Sequence, residues 1–131
     1  MAKQKQERRL ADNEARAFQK SVKSSAQKAR LVLDSIRGMQ VEAALAELTF
    51  SKKGISVDVK KLLESAIANA ENNHDLNIDK LYVSEAFADK SFVLKRWRAR
   101  ARGRVGKILK PRCHMTVVVA EKNNEASKGA A

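Results

Sequence analysis

Five arginines, Arg96, Arg98, Arg100, Arg102 and Arg104, recur at every second position. Guanidinium groups break no bonds by themselves, but their planar forks grip phosphate through paired hydrogen bonds and stack on bases. Successive side chains of an extended strand alternate between faces, so this spacing would put all five on one side. A helix would scatter them around its axis, and the extended reading is the expectation. Trp97 lies inside the comb and offers a surface on which a base can stack.

The comb is part of a longer basic segment. Residues 90–112 hold no Asp or Glu and ten cations: Lys90, Lys95, Arg96, Arg98, Arg100, Arg102, Arg104, Lys107, Lys110 and Arg112. The whole chain of 131 residues carries a formal net charge of +12, from 27 Lys and Arg against 15 Asp and Glu. Outside the segment, seventeen cations face all fifteen acids, a net charge of only +2. A nearly neutral body thus carries one intensely basic element, whose self-repulsion calls for a polyanionic partner. Each phosphate neutralised releases condensed counterions, which makes such binding strongly salt-dependent.

Smaller basic groups are less telling. Lys20, Lys23, Lys28 and Arg30 surround the start of a helical pattern. Helix N-termini favour phosphate, so Lys28 and Arg30 are candidate secondary contacts. On charge alone, an ordinary solvated helix face explains them equally well. The same balance applies to Lys52 and Lys53 before Gly54.

No catalytic constellation is visible. His74 follows two asparagines in a helix-ending turn, and His114 adjoins Cys113; neither has companions at metal-ligand spacing. Adjacent residues in a strand point to opposite faces, so Cys113 and His114 make a poor nucleophile–base pair. Asp58, Glu64 and Glu71 share a helical segment without an evident catalytic partner. Gly103 and Gly106 match no nucleotide-binding loop. No cofactor, metal or small-molecule substrate is expected. The single cysteine permits no internal disulfide and suits a reducing compartment. No segment nears the roughly 20 apolar residues of a membrane span, and residues 1–12 lack the apolar run of a secretory signal. Cytoplasmic residence is the expectation.

The elements that must position the basic segment follow from periodicity. Ala29, Val32, Leu33 and Ile36 trace one helix face, with Ser24 and Gln27 as a capping box and Gly38 as terminator. Val41, Ala44, Leu45 and Leu48 repeat the pattern in a shorter helix. Val59, Leu62, Leu63, Ala66, Ile67 and Ala70 form a longer stripe, with Ser56 as N-cap and the run Asn72, Asn73, His74, Asp75 at its end. Strand signals flank the helices at 18–24, 81–87 and 115–120, the last two rich in β-branched and aromatic residues.

Helices gathered between strands predict an α+β fold: three helices packed on a small three-stranded antiparallel sheet. The basic segment lies between the last two strands, so arms joined near Gly103 and Gly106 would form a long protruding basic β-hairpin. At about 3.3 Å per residue, an arm of about ten residues reaches roughly 33 Å. Such a ribbon is only marginally stable by itself. Residues 1–13 are expected as a flexible basic arm, 14–121 as a single globular domain including the hairpin 88–114, and 122–131 as a disordered tail.

Rival readings differ in their partners. A DNA-organising hairpin would insert apolar wedges and act as a dimer, whereas this tip is dominated by arginine. An RNA-modifying enzyme would need a nucleophile, an acid–base pair or a cofactor loop. A membrane-surface role calls for a basic amphipathic helix, and the cations here lie in an extended element. A solvated basic loop without a defined partner is the bland alternative.

Three stretches carry a resemblance: SSAQKARLVLDSIRGMQVEAAL at 24–45, SAIANAENNHDLNIDKLYVSEAFAD at 65–89 and LKRWRARARGRVGKILKPRCHMTVVV at 94–119. In this order they resemble a bacterial-type member of the large-ribosomal-subunit protein twenty-two family, from about residue 15 to 121. The resemblance implies a helix-on-sheet body on the subunit surface near the polypeptide exit, with the hairpin threaded through ribosomal RNA. It also implies a role in subunit assembly and stabilisation, with no chemistry. The implied partners are large-subunit ribosomal RNA, neighbouring large-subunit proteins and, near the tip, the nascent polypeptide; no membrane is involved. The cytoplasmic ribosome is the implied setting, with an organellar ribosome the other possibility.

Carried across, the tip lining the exit tunnel is Lys95, Arg96, Trp97, Arg98, Ala99, Arg100, Ala101, Arg102, Gly103 and Arg104, near where macrolide antibiotics bind. Lys28 and Arg30 fall in the family's basic motif on the first helix. Members of the family often have proline where Ala99 stands, an acid where Gly106 stands and an aliphatic residue where Trp97 stands. Proline fixes φ, so Ala99 leaves the tip freer.

Overall fold

The computed structural model describes residues 9–122. The expected arm falls largely, and the tail almost wholly, outside those residues. Strand β1 (Glu14–Val22) leads into helices α1 (Ala26–Ile36), α2 (Val41–Phe50) and α3 (Ser56–His74). A short 3-10 turn at Ile78–Lys80 precedes two long strands, β2 (Leu81–Ala99) and β3 (Val105–Glu121). The sheet is antiparallel throughout, in the order β1-β3-β2. The expected α+β architecture is therefore the observed one.

The core lies between one face of the sheet and the helices. Alternation puts Ala15 and Ala17 of β1, Leu81, Val83, Ala86 and Ala88 of β2, and Cys113, Met115, Val117 and Val119 of β3 on that face, all buried. Against them pack Leu33 and Ile36 from α1, Val41, Ala44 and Leu48 from α2, and Val59, Leu63, Ala66 and Ala70 from α3. Fully burying such a side chain is worth roughly 1.5–3 kcal/mol. Strand β3 is central, and its body half is buried on both faces, Val118 and Thr116 lying on the side away from the helices.

Three local expectations are corrected. The first strand begins at Glu14, not at Phe18, because the small residues Ala15 and Ala17 supply the alternation that β-propensity alone does not reveal. The cap of α1 is one residue later than expected: the Ser25 hydroxyl oxygen accepts from the Lys28 amide at 3.3 Å. Ser56 is the first residue of α3 and no N-cap; its hydroxyl donates back to the Lys53 carbonyl at 2.6 Å. Helix ends elsewhere follow expectation. Gly38 takes a left-handed φ of 81° just past α1, and Asp75 does so at 51° past α3. The Leu76 amide then closes on the Ala70 carbonyl at 3.1 Å.

Edge strand β2 leaves a row of outward backbone groups, and the chain covers them. The loop after α1 pairs with it: the Gly38 amide donates to the Val83 carbonyl at 2.8 Å and the Val83 amide to the Met39 carbonyl at 2.9 Å. Farther along, Arg37 donates to the Ala86 carbonyl, and Arg30 Nε donates to that of Ala88 at 3.1 Å. Arg30 lies within α1 and Arg37 is the residue that caps its C-terminus about two turns later, so both side chains reach the same strand edge. Cover ends there. Beyond Lys90 the two strands leave the body as a bare ribbon.

Replacing Leu63, fully buried in the helix–sheet core, by Ala is expected to cost about 2–5 kcal/mol. Urea unfolding should show a lower midpoint at unchanged m-value.

Candidate nucleic-acid interface

The ribbon continues the sheet without a break. After a register irregularity between Lys90 and Val93, pairing runs from Val93↔Pro111 to Ala99↔Val105. The turn itself spans residues 100–104, closed by the Arg100 amide on the Arg104 carbonyl at 2.8 Å. Arg102 and Gly103 both take left-handed backbone, with φ of 59° and 67°. Gly103 does so without strain, whereas such a conformation costs a side-chain-bearing residue roughly 1–2 kcal/mol.

Two expectations about this element change. Gly103 lies in the turn, but Gly106 lies in β3 opposite Arg98, so only one of the two glycines makes the bend. A Cβ at Gly106 would sit 3.4 Å from Arg100 Nε, which shows that the Arg100 side chain lies across this bare position. The five-arginine comb is broken as well. Arg96 and Arg98 share one strand face, and Arg100 folds over it, but Arg102 and Arg104 belong to the turn and its exit. Strand alternation could not extend through a bend that the periodicity of arginine does not mark.

Directly opposed residues share a face in an antiparallel pair. One face of the ribbon therefore bears Leu94, Arg96 and Arg98 with Lys110 and Ile108. The other bears Val93, Lys95, Trp97 and Ala99 with Pro111, Leu109, Lys107 and Val105. Trp97 is 69% exposed, directly across from Lys107.

At its root the ribbon meets helix α1. One concavity of about 400 Å³ is lined by Lys23, Ser25, Lys28, Lys110, Pro111 and Arg112, among others. An adjoining one of about 410 Å³ is lined by Gln27, Arg30, Lys90, Val93, Pro111 and Arg112, among others. The structure thus unites Lys28 and Arg30 with Lys90, Lys110 and Arg112 in a single basic saddle at the N-terminus of α1, where the helix dipole also favours anions. Arg30 is partly committed, since its Nε holds Ala88 and only the remaining guanidinium nitrogens face outward chemistry. Arg37 was not anticipated; its seven-residue offset from Arg30 was the available signal.

Counter-charge is scarce. Among the described residues the ion pairs are Arg9–Glu85 at 3.2 Å and Arg37–Asp34 at 2.8 Å, and neither involves the ten cations of 90–112. Cys113 faces the core while His114 faces the other way, accepting from the Ser21 amide at 3.1 Å and lying 5.7 Å from the Phe18 ring. Burial, with Asp58 nearby, pushes the Cys113 thiol above its usual 9.0. A buried, un-ionised thiol turned away from its neighbouring histidine is structural. Among the described residues no three His, Cys, Asp or Glu gather as metal ligands, and no helix is long and apolar enough to cross a membrane.

Ribosomal protein L22p/L17e is the family whose pattern fits residues 17–120, from within β1 through both arms of the ribbon to the end of β3. The chain belongs to this family. It is 62% identical over 126 residues to the large ribosomal subunit protein uL22 of Rhodospirillum rubrum, covering 96% of this chain and 100% of that one. Identity to the protein of the same name from Maricaulis maris is 63% over 114 residues, 87% of this chain and 90% of that one. For Jannaschia sp. it is 59% over 121 residues, 92% and 96%. As a family member the chain is a structural constituent of the large ribosomal subunit and not an enzyme. Its partners are ribosomal RNA and other ribosomal proteins, in the cytoplasm.

Three outcomes are expected. Gly103→Ala should strain the turn by about 1 kcal/mol, speeding amide hydrogen exchange across 105–109 while leaving the core of β3 protected. Cys113 should resist iodoacetamide at pH 8 until the chain is unfolded. Because its folded thiol ionises at higher pH than the unfolded one, this group should make stability fall as pH rises above 9.0, readable in urea midpoints.

Proposed function

We propose that the chain grips large-subunit ribosomal RNA at two connected places, the basic ribbon and the saddle at its root. The contacts would come from Lys28, Arg30, Lys90, Lys95, Arg96, Trp97, Arg98, Arg100, Arg102, Arg104, Lys107, Lys110 and Arg112. The observation that carries this reading is that ten cations on one ribbon have no acidic partner among the described residues. Phosphate supplies the missing charge, and bound RNA stabilises a ribbon that is marginal without it.

The globular domain, 14–121, anchors the ribbon on the subunit surface. Its far end, residues 95–104, lines the polypeptide exit tunnel beside the nascent chain. Assembly then profits because one protein ties the RNA at its surface to RNA at depth.

Ribosome fractionation on gradients tests this directly. The tagged full-length chain is expected to travel with large subunits through a high-salt wash, and a chain lacking residues 95–104 to be retained less firmly. Free protein at the top of the gradient, or protein following DNA, would count against it. In filter binding to large-subunit RNA, Lys28→Gln, Lys90→Gln and Arg112→Gln should each reduce the salt slope by about 1. An unchanged slope would remove the saddle from the interface.

A further inference from the structure

The ribbon separates its chemistry by face, and the separation goes beyond a uniform basic surface. All paired-strand arginines, Arg96 and Arg98, lie on one face with Lys110, and Arg100 folds over the same face at Gly106. The opposite face has no arginine. It carries Trp97, Leu109, Val105 and Val93, exposed at 69%, 61%, 56% and 41%, with Lys95 and Lys107 among them. Lys107 lies directly across from Trp97, and Lys95 precedes it by two residues on the same face.

We propose that this second face is a stacking platform for unpaired RNA bases, with Trp97 as its centre, while the arginine face holds backbone phosphate. The inference rests on the RNA-binding reading and assigns the two faces to different parts of the nucleic acid. Its occupant must combine an apolar, flat surface with negative charge, because Trp97 and Leu109 are interleaved with lysines and no carboxylate is present in 90–112. Unpaired nucleotides have both, a π-face on every base and a phosphate at every step. Duplex RNA offers phosphate but keeps its bases stacked and out of reach. Aliphatic Val105 and Leu109 extend the platform along β3, and Lys95 and Lys107 are placed to meet the sugar–phosphate chain that carries a stacked base.

Trp97 is the only tryptophan of the chain, so its fluorescence reports on this face alone. The full-length protein would be titrated with a short oligoadenylate, with duplex RNA of equal phosphate count, and with an acidic peptide. Oligoadenylate should quench Trp97, while duplex RNA should bind without quenching. Trp97→Ala should weaken oligoadenylate binding by roughly five-fold or more and leave duplex binding unchanged; Trp97→Phe should restore most of the loss. The double variant Arg96→Gln/Arg98→Gln should lower the salt slope for both RNAs and preserve the quenching. Trp97 is largely exposed, and circular dichroism would verify that its variants fold. Equal oligoadenylate binding by Trp97→Ala, with no quenching in the parent, would overturn the platform and leave RNA binding intact. Quenching by the acidic peptide alone would make the face a protein surface, also overturning it. Failure of both RNAs to bind would instead sink the RNA-binding reading itself.

Discussion

Like charge held at close range is the constraint on which the rest of this structure depends. Two unit charges about 4 Å apart still repel by about 1 kcal/mol in water, and the ribbon concentrates ten cations without an acid. Nothing in the ribbon offsets that cost. The resistance comes from the body, where β3 is buried on both faces from Met115 to Ala120 and cannot slide without exposing Met115, Val117 and Val119. One strand therefore serves as both foundation and arm. The hydrophobic core fixes a register that the charged end would not choose by itself.

Helix α1 acts on the same problem from the side. Arg30 and Arg37 bind the outward carbonyls of Ala88 and Ala86, so the edge strand is clamped up to the point where the ribbon departs. Two arginines are thereby held by backbone carbonyls of the edge strand. Their placement also fixes the N-terminus of α1 against the root of the ribbon, which is what makes a saddle from cations distant in sequence.

Much of this was legible in the sequence. The three helices could be read because their apolar residues repeat at helical spacing, and the hairpin because an acid-free segment lies between two β-branched runs. Ala15 and Ala17 hid the start of β1, since small residues carry little strand signal however completely they are buried. Arginine spacing at every second position suggested a single face, but left-handed backbone at Arg102 and Gly103 bends the chain midway. That bend depends on φ, which charge periodicity does not encode. The saddle was out of reach for another reason: Lys28 on α1 and Arg112 on β3 are brought together by the packing of the helix beside the root of the ribbon, not by spacing. The sorting of the ribbon into an arginine face and a tryptophan face needed the pairing Trp97↔Lys107 to be known.

Register also restricts how such a ribbon can change length. Its two faces are distinguished only by alternation, and alternation has a period of two. Adding one residue to each arm would move every side chain beyond the insertion to the opposite side, exchanging tryptophan for arginine at the outer end. Adding two to each arm would lengthen the reach by about 7 Å and leave both surfaces as they were. Viable length variants should therefore grow in paired steps. The ribbon behaves as a ruler with marks at every second residue, cut at one end by the bulge near Lys90 and at the other by the Arg102–Gly103 bend.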